Sequence, residues 1–400
     1  MHLSSLVQLG LTGLMVALLP LCMVWVSGDP DKYRKLVWVS VFFTLDLIMF
    51  GAFTRLSDSG LGCPDWPGCY GLASPFQAHD AIRAAEALLP SGPVTLRKAW
   101  IEMTHRYLAM GIGVLIVALM ALAWRQWRLR RRAQFSPALP TALFLFVCLQ
   151  GAFGAWTVTM RLQPAIVTIH LLLGMVLLAL LTWLGARQDP AAAPLAGTDG
   201  TSGTDGTLGA LRHVRAWAWL GALLLATQIA LGGWVSTNYA ALACTDYPLC
   251  NGRLVPEMDF AHGFHLWREL GKTAAGHYLP FAALTAIHWV HRNGALLVIA
   301  VLGYTAWRAW PHAALRRTAG ALALVLALQA LSGIATIYLN WALAIALLHN
   351  GGAALLVLLL TMLNYKAKVI ADIAGRAAAG RTKVQAWPQS SIPSPLRFDP

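Results

Sequence analysis

The chain has 400 residues, of which 58% are hydrophobic and 12% charged, where an average soluble domain carries about 25% charged residues. That balance excludes a soluble globular protein. The formal net charge of +13 would admit a nucleic-acid partner if the basic residues shared one surface, but their distribution follows the apolar runs instead.

Nine apolar runs come close to the ~20 residues that carry a helix across a bilayer. In chain order they are 5–27, 36–55, 103–124, 139–158, 164–186, 214–236, 287–310, 316–338 and 342–364. No Lys or Arg precedes the first run and no small-residue cleavage pattern follows it, so a true span is expected there and not a signal peptide. Assigning alternate connections to the cytoplasm places 20 of the 30 Lys and Arg on that side. They include Lys32, Arg34 and Lys35, the cluster Arg125, Arg128, Arg130, Arg131 and Arg132, and the tail from Lys366. This bias predicts an integral membrane protein with an outside N-terminus and a cytoplasmic C-terminus, partnered by the lipid bilayer and not by nucleic acid.

Residues 188–210 are rich in Gly, Thr, Asp, Ala and Pro without apolar period, and read as a flexible cytoplasmic linker. On either side the sequence repeats. The segment from Cys63 through Asp65, Pro67 and Cys69 to Gly71 is matched by that from Cys244 through Asp246, Pro248 and Cys250 to Gly252, an offset of 181. Glu102-Met103-Thr104-His105-Arg106 is matched by His288-Trp289-Val290-His291-Arg292 at an offset of 186, and Gln150, Gly154, Thr157 and His170 by Gln329, Gly333, Thr336 and His349 at 179. Such ordered matches point to duplication, with four spans per half in the same orientation and the run at 5–27 outside the repeat. The expected units are an N-terminal helix and loop (1–35), a first bundle (36–187), the linker (188–211), a second bundle (212–365) and a cytoplasmic tail (366–400).

Ionisable side chains are costly in hydrocarbon and usually face a functional interior. His105, His170, His291 and His349 are matched across the repeat, each half bringing two imidazoles on two helices to one level near the outer face. A facing pair is what a six-coordinate haem iron requires, since the porphyrin supplies its other four ligands. A bare zinc ion would need three or four protein ligands, and no further His, Cys or carboxylate repeats at that depth. The bland alternative for any single histidine is a hydrogen bond to a neighbouring helix; repeat register favours the haem reading. Arg106 and Arg292 follow two of the histidines and are candidates for haem propionate contacts, or interfacial arginines that snorkel.

The halves differ three residues before the histidine, where the first has Glu102 and the second His288. At i and i+3, Glu102 shares a face with His105 and supplies an acid or base beside the first haem, unless it merely caps the helix start. His288 offers no carboxylate chemistry, so the second site reads as a permanent cofactor or relay. The pairs Cys63/Cys69 and Cys244/Cys250 lie in connections assigned to the outside, where disulfides persist; a redox role stays open and metal binding is the weaker reading.

The run Gly51-Ala52-Phe53-Thr54-Arg55, then Ser59-Gly60-Leu61-Gly62-Cys63-Pro64-Asp65-Trp66-Pro67, followed by Glu102-x-x-His105-Arg106, resembles the heme A synthase family over nearly all of 36–364. The resemblance implies an all-α integral membrane protein: two tandem four-helix bundles related by pseudo-two-fold symmetry, here with an extra N-terminal helix. It implies an oxidoreductase that turns the C8 methyl of haem O into the formyl of haem A for haem-copper terminal oxidases, with water as the expected oxygen source. By motif, His105 and His170 would flank the substrate haem, His291 and His349 would ligate haem b, and Glu102 would be the catalytic carboxylate. Cys63 and Cys69 would matter for activity or for haem transfer from a haem O synthase, terminal oxidase assembly would receive the product, and the site would face outward from a bacterial inner membrane. A homo-oligomer is left open. The rival readings are an electron-transfer cytochrome b of a quinone-linked complex, with both haems as relays, and a duplicated transporter whose histidines pass protons.

Overall fold

The computed structural model describes residues 3–130, 136–188 and 204–385. Among them, nine helices are long and apolar enough to cross a membrane, one at each expected run, and the protein is an all-α integral membrane protein. They are α1 (Leu3–Val26), α2 (Lys32–Leu56), α4 (Leu96–Arg130), α5 (Ala138–Thr159), α6 (Pro164–Arg187), α7 (Thr204–Thr237), α9 (Phe281–Ala309), α10 (Ala313–Tyr338) and α11 (Leu343–Gln385). Two shorter helices, α3 (His79–Leu88) and α8 (Phe260–Gly263), sit in the long connections. Local signals fix several starts. Asp31 caps α2 by accepting from the Arg34 amide at 2.9 Å, and Gln163 caps α6 by accepting from Ile166 at 2.9 Å, with Pro164 in the first turn.

Several helices outrun their apolar limits because Ala, Arg, Lys and Leu favour helix whatever their polarity. Helix α11 continues to Gln385 through the first part of the expected tail, and its Ala367 and Ala371 still pack in the core. Helix α7 begins at Thr204, inside the stretch expected to be linker. Leu211 there is fully buried and Leu208 packs beside it, so the apolar phase of α7 already starts in those residues. Residues 189–203 of the expected linker, Arg131 and Arg132, and 386–400 of the tail lie outside the described residues.

The packing order positions the site. Helices α2, α4, α5 and α6 close a ring, each against the next and α6 back on α2; α7, α9, α10 and α11 close a second in the same order. Between the rings α6 packs on α7, α2 on α11, and α6 on its own counterpart α11, a pattern that fits a pseudo-two-fold relation. One end is filled by the main apolar core, which includes Leu36, Leu119, Leu181, Leu211, Leu302, Leu322 and Leu363. These residues lie toward the end where α2 and α7 begin and α4, α6, α9 and α11 run out, which leaves the opposite end hollow beneath the two disulfide loops.

Helix α1 packs on α4 and α2. A Cβ at Gly13 would lie 2.8 Å from Met110 Cβ, and one at Gly111 2.7 Å from Val16 Cγ1, so paired glycines permit this close crossing. Near its start, Leu9 joins Cys63, Cys69, Ile82 and Met103 in a small core of their own. The extra helix therefore buttresses the first disulfide loop.

Candidate functional site

Ring order sets α4 opposite α6 in the first bundle and α9 opposite α11 in the second. Those are the helices that carry the four matched histidines. His105, His170, His291 and His349 line one cavity of about 700 Å³ at the hollow end, together with Glu102, His288, Arg106 and Arg292.

Each imidazole lies against a glycine of the adjoining helix. A Cβ would come 3.0 Å from His105 Cε1 at Gly51, 3.2 Å from His170 Cε1 at Gly154, 3.1 Å from His291 Cε1 at Gly232 and 3.1 Å from His349 Cε1 at Gly333. One contact is thus made four times, with the ring laid on bare backbone. In sequence Gly154 and Gly333 stand out only as repeat matches, with nothing to show their purpose; the offset of 181 that aligns the cysteine loops also aligns Gly51 with Gly232.

The two pairs are held differently. In the second half, Gln228 Nε2 lies 3.0 Å from His291 Nδ1 and donates to the His291 carbonyl at 2.8 Å. Ser332 Oγ lies 2.9 Å from His349 Nδ1, and Gln329 Nε2 3.3 Å from its Nε2. By repeat offset the first half has Leu47 and Phe153 where the second has Gln228 and Ser332, and the Nδ1 atoms of His105 and His170 are buried without a hydrogen-bond partner. A hydrogen bond on the outer ring nitrogen orients a metal-bound imidazole. The second pair has that support from side chains; the first does not.

Glu102 is 3% exposed. Its Oε2 accepts from the Cys63 amide at 2.8 Å and its Oε1 from Arg106 Nη2. Arg106 Nη1 donates to the Asp65 and Gly68 carbonyls at 2.8 and 2.6 Å. Helix α4 is thereby tied to the loop closed by the Cys63–Cys69 disulfide. The second loop, closed by Cys244–Cys250, repeats the plan with His288 in place of the carboxylate: His288 Nδ1 accepts from the Cys244 amide at 3.2 Å. Both loops turn on an aspartate. Asp65 accepts from the Tyr70 and Gly71 amides at 2.6 and 2.7 Å, and Asp246 from Asn251 and Gly252 at 2.5 and 3.0 Å.

The arginines separate. Arg106 gives Nη1 to the loop carbonyls and Nη2 to Glu102, so most of its fork is held by the loop and the acid. Arg292 uses Nη2 on the Leu249 carbonyl at 2.9 Å and stacks over Tyr247, while its buried Nη1 has no partner.

Opposed imidazoles, flat glycine backing and a large shared cavity fit a haem in each half, and the second half adds a guanidinium with an unused donor. Among the described residues no three His, Cys, Asp or Glu gather as a bare ion would require.

Fold and site together define a polytopic helical membrane protein with an imidazole pair in each of two bundles. The sequence pattern of the COX15-CtaA family, cytochrome oxidase assembly proteins, matches residues 34–361, and the chain belongs to that family. The match runs from α2 into α11 and leaves α1 outside. Relatives named heme A synthase include one from Shewanella oneidensis, 38% identical over 336 residues that cover 83% of this chain and 96% of the relative. Those from Sphingopyxis alaskensis and Methylobacterium radiotolerans are each 30% identical, covering 83% and 86% of this chain and 91% and 92% of their own lengths.

Proposed function

We propose that this protein is a heme A synthase, an oxidoreductase that converts the C8 methyl group of haem O to the formyl group of haem A for haem-copper terminal oxidases. The observation that carries the reading is the buried Glu102 carboxylate, fixed by Arg106 and the Cys63 amide one helical turn from His105, where the other half has only His288. The names of the relatives support it.

His105 and His170 flank the substrate haem in the first bundle, residues 36–187, and His291 and His349 hold haem b in the second, residues 212–365. Taking a methyl group and one water to a formyl group releases four electrons and four protons, in two rounds of oxidation. Haem b, when bound, supplies a redox centre for those electrons. Glu102 takes the proton from the attacking water, with its carboxylate held in place by two donors so that no reorientation is needed. The hollow end faces outward from a bacterial inner membrane, with the N-terminus outside, and a haem O synthase delivers the substrate there.

Co-expression with a haem O synthase, followed by extraction of haems, tests the activity: haem A should accumulate, and unchanged haem O would defeat the proposal. The glycine contacts give a second expectation. Gly333→Val places a branched side chain where the His349 ring lies. Overpacking of this kind costs about 1–3 kcal/mol, so second-half haem per protein at limiting haem should fall roughly five-fold or more, read as Soret absorbance. Unaltered occupancy would remove the glycine from the site.

A further inference from the structure

With Arg106 held by Glu102 and the loop carbonyls, a second first-half cation on the cavity is better placed to recognise haem carboxylates. We infer that Arg55 is the propionate-binding residue of the first-half site. The inference rests on the reading of that site as the substrate haem site.

Arg55 is in the last turn of α2 and lines the cavity beside Trp66 and Pro67 of the disulfide loop. It lies four residues beyond Gly51, the glycine against His105, so it shares that helix face one turn nearer the hollow end. Its Nε is buried and has no partner. Nη2 donates to the Ser236 carbonyl at 2.8 Å, Nη1 reaches the Tyr239 hydroxyl only at 3.5 Å, and the guanidinium stacks 4.5 Å from the centre of the Tyr239 ring. Among the described residues it forms no ion pair. Asp58, the acid just beyond α2, is shared by the Tyr239 hydroxyl at 3.0 Å and Lys98 at 3.3 Å. Burial pushes the Tyr239 phenol up from its ordinary range, which keeps it a neutral donor to Asp58 and not a competing anion.

The repeat makes the assignment specific to one half. At the offset of 181 the counterpart of Arg55 is Ser236, which has no charge. The second half instead keeps Arg292 open, because His288 there does not consume it as Glu102 consumes Arg106. Among the described residues, Arg55 on α2 in the first half and Arg292 on α9 in the second both line the cavity with a buried guanidinium nitrogen that has no partner. A planar, always-charged fork, oriented by an aromatic ring, suits a carboxylate at the edge of a flat ligand.

The test compares two probes, protohaem and its dimethyl ester, which share size and iron chemistry but differ in carboxylate charge. Each is titrated into detergent-solubilised protein that already carries its second-half haem, with His105→Ala as the control that assigns the added absorbance to the first half. Hydrogen bonds to charged groups contribute about 1.5–3 kcal/mol, so the wild type should prefer the free acid by about 10- to 100-fold. Arg55→Leu should abolish that preference while leaving ester affinity and the second-half spectrum unchanged, and Arg55→Lys should restore part of it. If Arg55→Leu loses its second-half spectrum, the Arg55→Lys comparison decides: an undiminished preference overturns the assignment. It is also overturned if the wild type does not distinguish acid from ester, or if Arg55→Leu still does. Binding of neither probe by the wild type would instead defeat the first-half haem site itself, and the assignment with it.

Discussion

Glu102→Gln is expected to abolish haem A formation while leaving the second-half haem spectrum intact. Glutamine keeps the size of the side chain and an oxygen to accept the Cys63 amide, but it cannot take a proton from water. Removing a positioned general base costs typically 10²- to 10⁴-fold in rate, enough to put haem A below detection in extracted haems. The substitution also leaves Arg106 without its anion in a buried place, a change that can cost several kcal/mol. The second-half spectrum is therefore an internal control, since a collapsed bundle would lose it. Glu102→Ala should behave alike. Haem A made at the wild-type rate by either variant would take the carboxylate out of the reaction and leave it a tether between α4 and the disulfide loop.

The tether could not be read from sequence. The spacing of Glu102 and His105 places both on one helix face, which is a local property. The Cys63 amide that the carboxylate accepts is 39 residues away in the chain, and only the folded loop brings it there. The nine spans are legible in the sequence, because length and polarity alone decide whether a helix crosses a bilayer. Helix ends such as Thr204 are less so, because a few apolar residues outweigh a polar linker composition there. Arg106 shows the same limit within the site. Its place after a histidine suggests a propionate partner, but an acid four residues back competes for the same fork, and nothing in the run Gly51–Arg55 shows that the Arg55 Nε is buried and unpartnered.

Loss of the second-half haem on replacement of either of its histidines is the other large effect expected. His291→Ala and His349→Ala each remove one imidazole from a pair whose Nδ1 atoms are held by Gln228 and Ser332, and both should purify without the haem b absorbance band. His105→Ala or His170→Ala should keep that band, because the two sites use different helices. The contrast in anchoring sharpens this. A ring oriented by a second hydrogen bond gives up less freedom on ligating iron, so the second pair suits a haem retained through many turnovers. The first pair, with buried Nδ1 atoms unpartnered, suits one that arrives as substrate and leaves as product. On washing the purified protein with apomyoglobin as a haem sink, first-half haem should therefore be lost well before second-half haem. Retention of the haem b band in His291→Ala or His349→Ala would refute those ligands, and equal loss from the two halves would refute the division into substrate and cofactor.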